Sequence, residues 1–235
     1  MKDERNSPFE MLKEGPGLSF LDDYRFDRQI TRDLEAKLGA MSEVGGRPLW
    51  EGYQDVTDYP RKTTGNRTAN QVSTRPRVGA FFTWLVEALR PDAVVEFGTA
   101  FGASGMYFLR GLERAEHGHL FTYEPNTDWV EFARENLTSV SERFTSTNDT
   151  FEAAAERTLK PASVGLAFID AIHTKAFVDA QFAILRDYLA PGAVVLFDDI
   201  YFSEDMEACW TSIAQADGIA ASAQMGRRLG IVKMA

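Results

Sequence analysis

Short apolar runs alternate with segments of helical periodicity along the C-terminal two thirds of the chain. Runs rich in β-branched and aromatic residues are typical of buried parallel strands, and they occur at 93–97, 120–123, 143–147, 164–169 and 193–197. Apolar residues three and four positions apart predict helices at 104–116, 127–137, 151–159, 174–189 and 204–216. This alternation predicts an α/β fold with a mostly parallel sheet and helices on both of its faces.

The two ends of the chain have a different pattern. Ahead of the first run, 20–38 and 78–89 have the spacing of amphipathic helices, and a polar loop at 62–77 precedes the second of them. After the last predicted helix, 219–225 and 229–234 flank a Gly-Arg-Arg turn. This last pattern predicts a terminal antiparallel hairpin.

Aromatic residues cluster between the two N-terminal helices, at Trp50, Tyr53 and Tyr59. They either pack as a cap on the sheet or line a substrate pocket. We favour the cap, because aromatic side chains are core residues more often than ligand contacts.

Composition and charge restrict the partners that we expect. The 235 residues, 44% of them hydrophobic, suffice for one domain of ordinary size. A net charge of −10 argues against nucleic acid as a partner. No apolar run approaches the length of a membrane span, the charged start predicts no signal peptide, and Cys209 is the only cysteine, so no disulfide is expected. We expect a cytoplasmic protein with a small-molecule partner, away from membranes, and we leave a homodimer open.

The stretch that follows the first predicted strand has the composition of a ligand-binding turn. Gly98 and Gly102 lie between this strand and the next helix, Gly105 lies in the first turn of that helix, and Glu124 follows the next strand. A turn without side chains lets a ligand approach the backbone closely. A carboxylate at the end of the neighbouring strand can accept hydrogen bonds from both hydroxyls of a ribose. The pattern therefore predicts a nucleoside site.

The spacing of the glycines decides which nucleoside is expected. The dinucleotide fingerprint is GxGxxG, whereas three residues here separate Gly98 from Gly102, and Glu96 stands two positions before the turn. An acidic turn suits a cationic ligand better than a pyrophosphate. The stretch VEFGTAFGAS resembles motif I of the class I S-adenosylmethionine (SAM)-dependent methyltransferases.

The resemblance implies a fold and a set of cofactor contacts. It implies a Rossmann-like sheet of seven strands that ends in the antiparallel hairpin, with 71–235 as the SAM-binding methyltransferase domain. Outside the resemblance, we expect 1–70 to form a helical and loop cap on the substrate side. The resemblance also implies that Glu124 binds the ribose and that Asp149 binds the adenine amino group, although Asp149 could instead cap the following helix. The remaining implied cofactor contacts are Gln71 and Ser73 at the amino acid end of SAM, and Glu96, Gly98, Gly102, Ser104 and Asp170 around the turn.

Three carboxylates follow two neighbouring predicted strands: Asp170, Asp198 and Asp199. Like charges that converge on one edge of a sheet repel each other, and a hard divalent cation such as Mg²⁺ is a usual compensation. The stretches FIDAIH and LFDDI resemble the metal-binding segments of the cation-dependent O-methyltransferases of the catechol and caffeoyl-CoA type. This resemblance implies that Asp170, Asp198 and Asp199 are metal ligands. The alternative is that these strand ends bind loop amides without a metal.

His173 is the candidate general base. It stands three residues after Asp170, where those families commonly carry a lysine. Its unperturbed pKa near 6.5 suits proton removal at neutral pH. We predict that His173 and the metal bound through Asp170 deprotonate the acceptor, which then attacks the SAM methyl group in line. Alternatively His173 is a solvated residue at a helix start, and Lys175 is the reserve base.

Taken together, the sequence predicts a SAM-dependent O-methyltransferase that acts on a small hydroxylated molecule with the help of Mg²⁺. The alternatives are metal-independent N- or O-methylation, a nicotinamide-dependent oxidoreductase, and a binding protein that kept the SAM pocket. The glycine spacing and the absence of an evident Tyr-x-x-x-Lys pair disfavour the oxidoreductase. The identity of the acceptor is not predicted, because the first 70 residues resemble no known segment.

Overall fold

The computed structural model describes residues 7–56 and 59–235, which form a three-layer α/β structure. A central sheet of eight strands has the order β1-β9-β10-β8-β7-β4-β5-β6, and β2 pairs with β3 in a separate ribbon. The strands are β1 Phe9–Lys13, β2 Arg47–Pro48, β3 Asn66–Arg67, β4 Ala93–Phe97, β5 His119–Tyr123, β6 Phe144–Thr147, β7 Val164–Ile169, β8 Leu189–Phe197, β9 Ile219–Met225 and β10 Leu229–Met234.

Helices cover both faces of the sheet. They are α1 Arg28–Glu43, α2 Ala69–Val72, α3 Pro76–Leu89, α4 Ala103–Ala115, α5 Thr127–Thr138, α6 Phe151–Thr158, α7 Lys175–Leu185 and α8 Glu204–Gln215. One buried cluster lies between the sheet and helices α1, α3 and α4, and a second lies between the opposite face and helices α6, α7 and α8. None of the helices in the described ranges has the length and apolar character needed to cross a membrane.

The strand order places a topological switch point beside β4. From β4 the chain proceeds to β5 and β6 on one side and then returns to β7 and β8 on the other, and all of these pairs are parallel. Strands β10, β9 and β1 extend the sheet in antiparallel pairs beyond β8. In open α/β sheets ligands bind at such a switch point, outside the carboxyl ends of the strands. We therefore expect a ligand site at the carboxyl ends of β4, β5, β7 and β8.

The predicted α/β class, the parallel strands and the terminal hairpin are confirmed, and the structure adds one strand. The predicted sheet has seven strands, whereas Phe9–Lys13 contributes an eighth by pairing with the hairpin strand β9. Its alternation of exposed and half-buried residues is too weak to be recognised in the sequence. A strand of the central sheet thus comes from the first 70 residues, and the division of the chain at residue 70 stays a prediction.

The single helix predicted at 20–38 is wrong. A short 3₁₀ helix spans Ser19–Asp23, the chain then extends, and α1 begins at Arg28. Asp27 interrupts the helix because its carboxylate accepts a hydrogen bond from the backbone N–H of Gln29 at 2.8 Å, which makes it the N-cap of α1.

The contact between α3 and α4 anchors one face of the sheet. The rings of Phe82 and Phe108 stack with centroids 4.7 Å apart, and the hydroxyl of Thr83 donates to the carbonyl oxygen of Tyr107 at 2.8 Å. A Cβ atom at Gly79 would overlap the ring of Tyr107. The helices can therefore approach this closely only with glycine at position 79.

We predict opposite effects for two glycine-to-alanine substitutions in helices. Gly79→Ala should lower the free energy of unfolding by about 1–3 kcal/mol, because overpacking outweighs the helical preference of alanine. Gly39→Ala is the matched control, since nothing lies within 4 Å of a Cβ atom at that position of α1. It should raise the free energy of unfolding by about 0.5–1 kcal/mol. Urea denaturation measures both, and equal effects of the two changes would contradict the close packing of α3 on α4.

Candidate active site

A cavity of about 550 Å³ opens at the carboxyl edge of the parallel strands. It lies where the topology predicts a ligand site, beside the ends of β4, β5, β7 and β8. The predicted site residues that line it are Gln71, Ser73, Gly98, Glu124, Asp170, His173, Asp198 and Asp199. The structure thus brings the candidate nucleoside contacts, the acidic residues and the candidate base into one cavity.

Gly98 allows the turn after β4 to contact the end of β7. It has a φ of +84°, and a Cβ atom there would overlap the carbonyl oxygen of Asp170. The backbone N–H of Asp170 donates to the carbonyl oxygen of Phe97 at 3.1 Å. A side chain at position 98 would therefore both strain the backbone and separate these two segments.

Glu124 is held in place by backbone groups. Its Oε2 accepts a hydrogen bond from the N–H of Ala100 at 2.8 Å, and its Oε1 accepts one from the N–H of Asn126 at 3.0 Å. Burial raises the pKa of Glu124 to about 7, although the two hydrogen bonds oppose this shift. Each carboxylate oxygen has a second lone pair, so the group can still accept hydrogen bonds from a ligand.

Two cavity residues that the sequence analysis missed have buried polar atoms without a hydrogen bond. The indole N–H of Trp129 has no partner within the described ranges, and neither has the side-chain oxygen of Gln181. The amide nitrogen of Gln181 donates to a carboxylate oxygen of Glu152 at 2.9 Å, and Glu152 also lines the cavity. Because buried polar groups are nearly always paired, these atoms fit a polar ligand in the cavity. Nothing in the sequence marks them as ligand contacts.

Four predicted cofactor contacts lie outside the cavity lining: Glu96, Gly102, Ser104 and Asp149. The carboxyl group of Glu96 is fully buried near Gly105, where its Oε2 accepts a hydrogen bond from the hydroxyl of Thr122 at 2.6 Å. Burial raises the pKa of Glu96 to about 7. Gly102 has a φ of +90° at the start of α4. Direct contact between these residues and SAM stays a prediction.

Asp149 is turned toward the protein. Its Oδ2 forms an ion pair with Arg157 at 2.7 Å, and its Oδ1 accepts a hydrogen bond from the N–H of Thr150 at 2.8 Å. The interpretation that Asp149 caps the following helix is wrong, because the N-cap of α6 is Thr150. The hydrogen bond between Asp149 and the adenine amino group stays a prediction. In this part of the chain, Glu152 of α6 is the carboxylate that lines the cavity.

The acidic residues and His173 converge as expected from the strand ends. Asp170, His173 and Asp198 each offer one ligand atom, and these atoms lie within 4.8 Å of one another. The Nε2 atom of His173 is 3.5 Å from Asp170 and 3.9 Å from Asp199. Burial raises the pKa of Asp170 well above its usual range, and the charges of Asp198 and Asp199 add to this shift. Burial lowers the pKa of His173 below its usual value, which keeps the imidazole neutral.

Arg228 is the main residue of this site that the sequence analysis missed. Its Nε and Nη2 atoms donate to the two carboxylate oxygens of the buried Asp198 at 2.9 and 2.6 Å, and its Nη1 is 3.6 Å from Asp199. It belongs to the Gly-Arg-Arg turn between β9 and β10. The sequence contains this turn, but it does not indicate that one of the two arginines points to the acidic residues. A guanidinium therefore compensates part of the negative charge for which the sequence analysis expected a metal.

Lys175, the reserve base, is directed away from this site. Its amine forms an ion pair with Asp179 at 2.6 Å, and it is not part of the cavity lining. The aromatic residues Trp50, Tyr53 and Tyr59 do line the cavity. Their position favours the substrate pocket over the cap that we preferred from the sequence.

Comparisons with known proteins agree with this geometry. Residues 95–200 match a family model described as a methyltransferase domain. The structure is similar to an O-methyltransferase, TomG from Streptomyces achromogenes, in complex with SAM, at 15% identity, 89% coverage of this chain, 97% coverage of that chain and a TM-score of 0.62. It is also similar to an O-methyltransferase from Bacillus cereus in complex with S-adenosylhomocysteine, at 15% identity, 93% and 96% coverage, and a TM-score of 0.58.

The curated relative that the chain matches is much longer. It is an uncharacterized protein, y4gI, from Sinorhizobium fredii, 28% identical over an alignment of 165 positions that covers 61% of this chain and 17% of the relative. The chain thus spans about a sixth of the length of that protein.

The fold is that of the class I SAM-dependent methyltransferases. Residues 95–200, which match the methyltransferase-domain model, include the glycine turn, Glu124, the three acidic residues and His173. The predicted fold is confirmed, and the match to the family model agrees with the predicted methyltransferase class.

We predict that Arg228→Met lowers the free energy of unfolding by about 2–3 kcal/mol, because it leaves the buried Asp198 carboxylate without its partner. A fully buried pair would cost roughly 3–5 kcal/mol, and partial exposure of Arg228 reduces this. Urea denaturation in EDTA measures the change. The control Arg227→Met, in the same turn but stacked on Tyr201, should stay within about 0.5 kcal/mol of the wild type. If Asp198→Asn fails to restore stability to Arg228→Met, the ion pair is not the cause.

Proposed function

We propose that this protein transfers the methyl group of SAM to a hydroxyl group of a small molecule, with His173 as the general base. The observation that carries the proposal is that one cavity is lined by both the nucleoside-facing residues Gly98 and Glu124 and the candidate base. The O-methyltransferases of the same fold support transfer to oxygen.

The cavity has the features that a nucleoside requires. Gly98 exposes backbone, Glu124 offers two carboxylate oxygens, and the unpartnered N–H of Trp129 offers a donor on the same wall. Gln71 and Ser73 line the cavity too, where they would reach the amino acid end of SAM. The Oε1 of Gln71 already accepts the backbone N–H of Thr68, so its amide N–H groups are the ones available to a ligand.

His173 is suited to remove the acceptor proton. Its lowered pKa keeps the imidazole unprotonated at neutral pH, so that it can accept a proton. Asp170 and Asp199, 3.5 and 3.9 Å from its Nε2, would stabilise the imidazolium that forms. The ring of Phe202 contacts the imidazole with centroids 5.2 Å apart and restricts its position. Proton removal and methyl transfer would then depend mainly on how these side chains orient the acceptor hydroxyl.

The acidic residues also fit a divalent cation. Asp170, Asp198 and Asp199 present hard oxygen donors at one edge. Burial raises the pKa of Asp170, the charges of Asp198 and Asp199 add to this shift, and Arg228 opposes it. When bound, Mg²⁺ would acidify the acceptor hydroxyl and orient two of its oxygens. Asp170, Asp198 and Asp199 would be its protein ligands, and Asp198 would share its carboxylate between the ion and Arg228.

We predict that His173→Gln lowers kcat by about 100-fold or more, since general base catalysis contributes about 10²–10⁴. Its affinity for S-adenosylhomocysteine should stay close to that of the wild type. The wild-type rate should fall as the pH is lowered through the His173 pKa, below 6.5, because the imidazole becomes protonated. Methyl transfer from labelled SAM measures both effects. Lys175→Gln is the control and should retain activity; a full loss there, with active His173→Gln, would reverse the assignment of the base.

We predict that EDTA abolishes transfer to hydroxyl acceptors and that Mg²⁺ restores it. Asp170→Asn should weaken Mn²⁺ binding, measured by electron paramagnetic resonance, by about tenfold or more, because a neutral amide replaces a carboxylate ligand. Asp149→Asn, an acidic residue outside the cavity lining, should bind Mn²⁺ like the wild type.

Full activity in EDTA would contradict the metal. It would instead favour a metal-independent transfer in which Arg228 alone balances the acidic residues, for which the bidentate pair with Asp198 is the supporting observation.

A further inference from the structure

The acceptor side of the cavity carries positive charge in a protein of net charge −10. Arg61, Arg67 and Arg75 line the cavity. Within residues 7–56 and 59–235, no carboxylate lies within 4.0 Å of any of these three guanidinium groups. This differs from Arg228, which pairs with Asp198 and Asp199. Arg75 is the N-cap residue of α3, two positions after Ser73, whereas Arg61 and Arg67 belong to the segment that follows Tyr59. Cationic side chains without a carboxylate partner in the cavity of an acidic protein suggest an anionic ligand.

Arg67 has a structural use. Its Nη1 and Nη2 atoms donate to the carbonyl oxygens of Asn66 at 3.3 Å and Lys62 at 2.8 Å, which holds the loop between these residues together. Arg61 makes a different contact, because its guanidinium lies over the ring of Phe202, 4.3 Å from the centroid. A stacked guanidinium keeps its N–H donors in its own plane, where they can bind a carboxylate edge-on. Arg61 is therefore the better candidate for ligand binding.

Phe202 connects Arg61 with the reacting groups. The guanidinium carbon of Arg61 lies 4.3 Å from the centroid of the Phe202 ring, and the centroid of the His173 imidazole lies 5.2 Å from the same point. The ring of Tyr59 stacks on Phe202 with centroids 5.9 Å apart, and Tyr53 packs against Tyr59 at 5.1 Å. A planar molecule along this wall that offers a hydroxyl to His173 would have its other end near Arg61.

We propose that the acceptor is a planar hydroxylated compound with a carboxylate, and that Arg61 binds this carboxylate while His173 faces the hydroxyl. The proposal rests on the methyl transfer function proposed above and adds the class of acceptor. A carboxylate matches the fork of a guanidinium, and charge-assisted bonds of this kind are about twice as strong as neutral ones. A phosphate dianion would be repelled more strongly by Asp170 and Asp199.

The carboxylate of SAM is a poorer candidate for this contact. The nucleoside-facing residues Gly98 and Glu124 follow β4 and β5, whereas Phe202 and His173 follow β8 and β7. Gln71 and Ser73 already lie where the amino acid end of SAM is expected. Arg61 is thus grouped with the base and the aromatic wall, which is the acceptor side of the cavity.

The test compares two probes of nearly the same shape, the anion 3,4-dihydroxybenzoate and its neutral amide 3,4-dihydroxybenzamide, with saturating SAM and Mg²⁺. The wild type should use the acid with a kcat/KM at least about tenfold higher. Arg61→Gln should raise KM for the acid about tenfold and leave kcat and the KM for the amide little changed. Arg61→Lys should recover part of the loss. Arg227→Gln is the matched control, since Arg227 also stacks on an aromatic ring, 4.1 Å from the centroid of Tyr201, but lies outside the cavity lining.

Calorimetric titration of the same preparations with S-adenosylhomocysteine separates the two proposals. Without binding, the methyl transfer function itself fails. With binding, equal use of acid and amide, or equal effects of Arg61→Gln on both, would overturn the carboxylate proposal and leave the function intact. If neither probe is methylated, their affinities for the S-adenosylhomocysteine complex decide: tighter binding of the acid, lost in Arg61→Gln, supports the proposal, and equal or absent binding overturns it.

Discussion

The close backbone contact between the turn after β4 and the end of β7 is the constraint on which the cavity depends. Gly98 makes this contact possible, because any side chain there would overlap the carbonyl oxygen of Asp170. The glycine turn, which we predict to contact the nucleoside, and Asp170 at the end of β7 are thereby held next to each other. Methyl transfer in line requires donor and acceptor to be held in a narrow range of geometry. A rigid junction between two neighbouring parallel strands holds such a geometry better than flexible loops would.

Charge balance is the second determinant of the site. Three carboxylates and an imidazole share one edge, and Arg228 neutralises the most buried of them, Asp198, with two hydrogen bonds. Asp199 is held next to this pair with a φ of +47°, a conformation that is strained for a residue other than glycine. The hairpin between β9 and β10 supplies Arg228, so the antiparallel part of the sheet contributes a side chain to the cavity as well as to the fold. The remaining negative charge is what a divalent cation would balance.

The sequence was sufficient for the parallel strands, the hairpin and the convergence of Asp170, His173, Asp198 and Glu124, because strand ends and β-branched runs are local patterns. It was insufficient where the outcome depends on long-range packing. The edge strand Phe9–Lys13 is defined by its partner β9, and Arg228 is selected over Arg227 only by the direction of the hairpin turn. The single helix expected at 20–38 is wrong because Asp27 is the N-cap of α1, which begins only at Arg28. Burial of polar atoms on Trp129 and Gln181 has no signal in the sequence at all.

Calorimetric titration with S-adenosylhomocysteine measures whether the cavity at the ends of β4 and β5 is a SAM site. We expect saturable one-to-one binding with a dissociation constant in the micromolar range. We also expect that Glu124→Ala weakens this binding by about tenfold or more, because the ribose loses a charged acceptor. The absence of binding to the wild-type protein, or unchanged affinity in Glu124→Ala, would contradict the account.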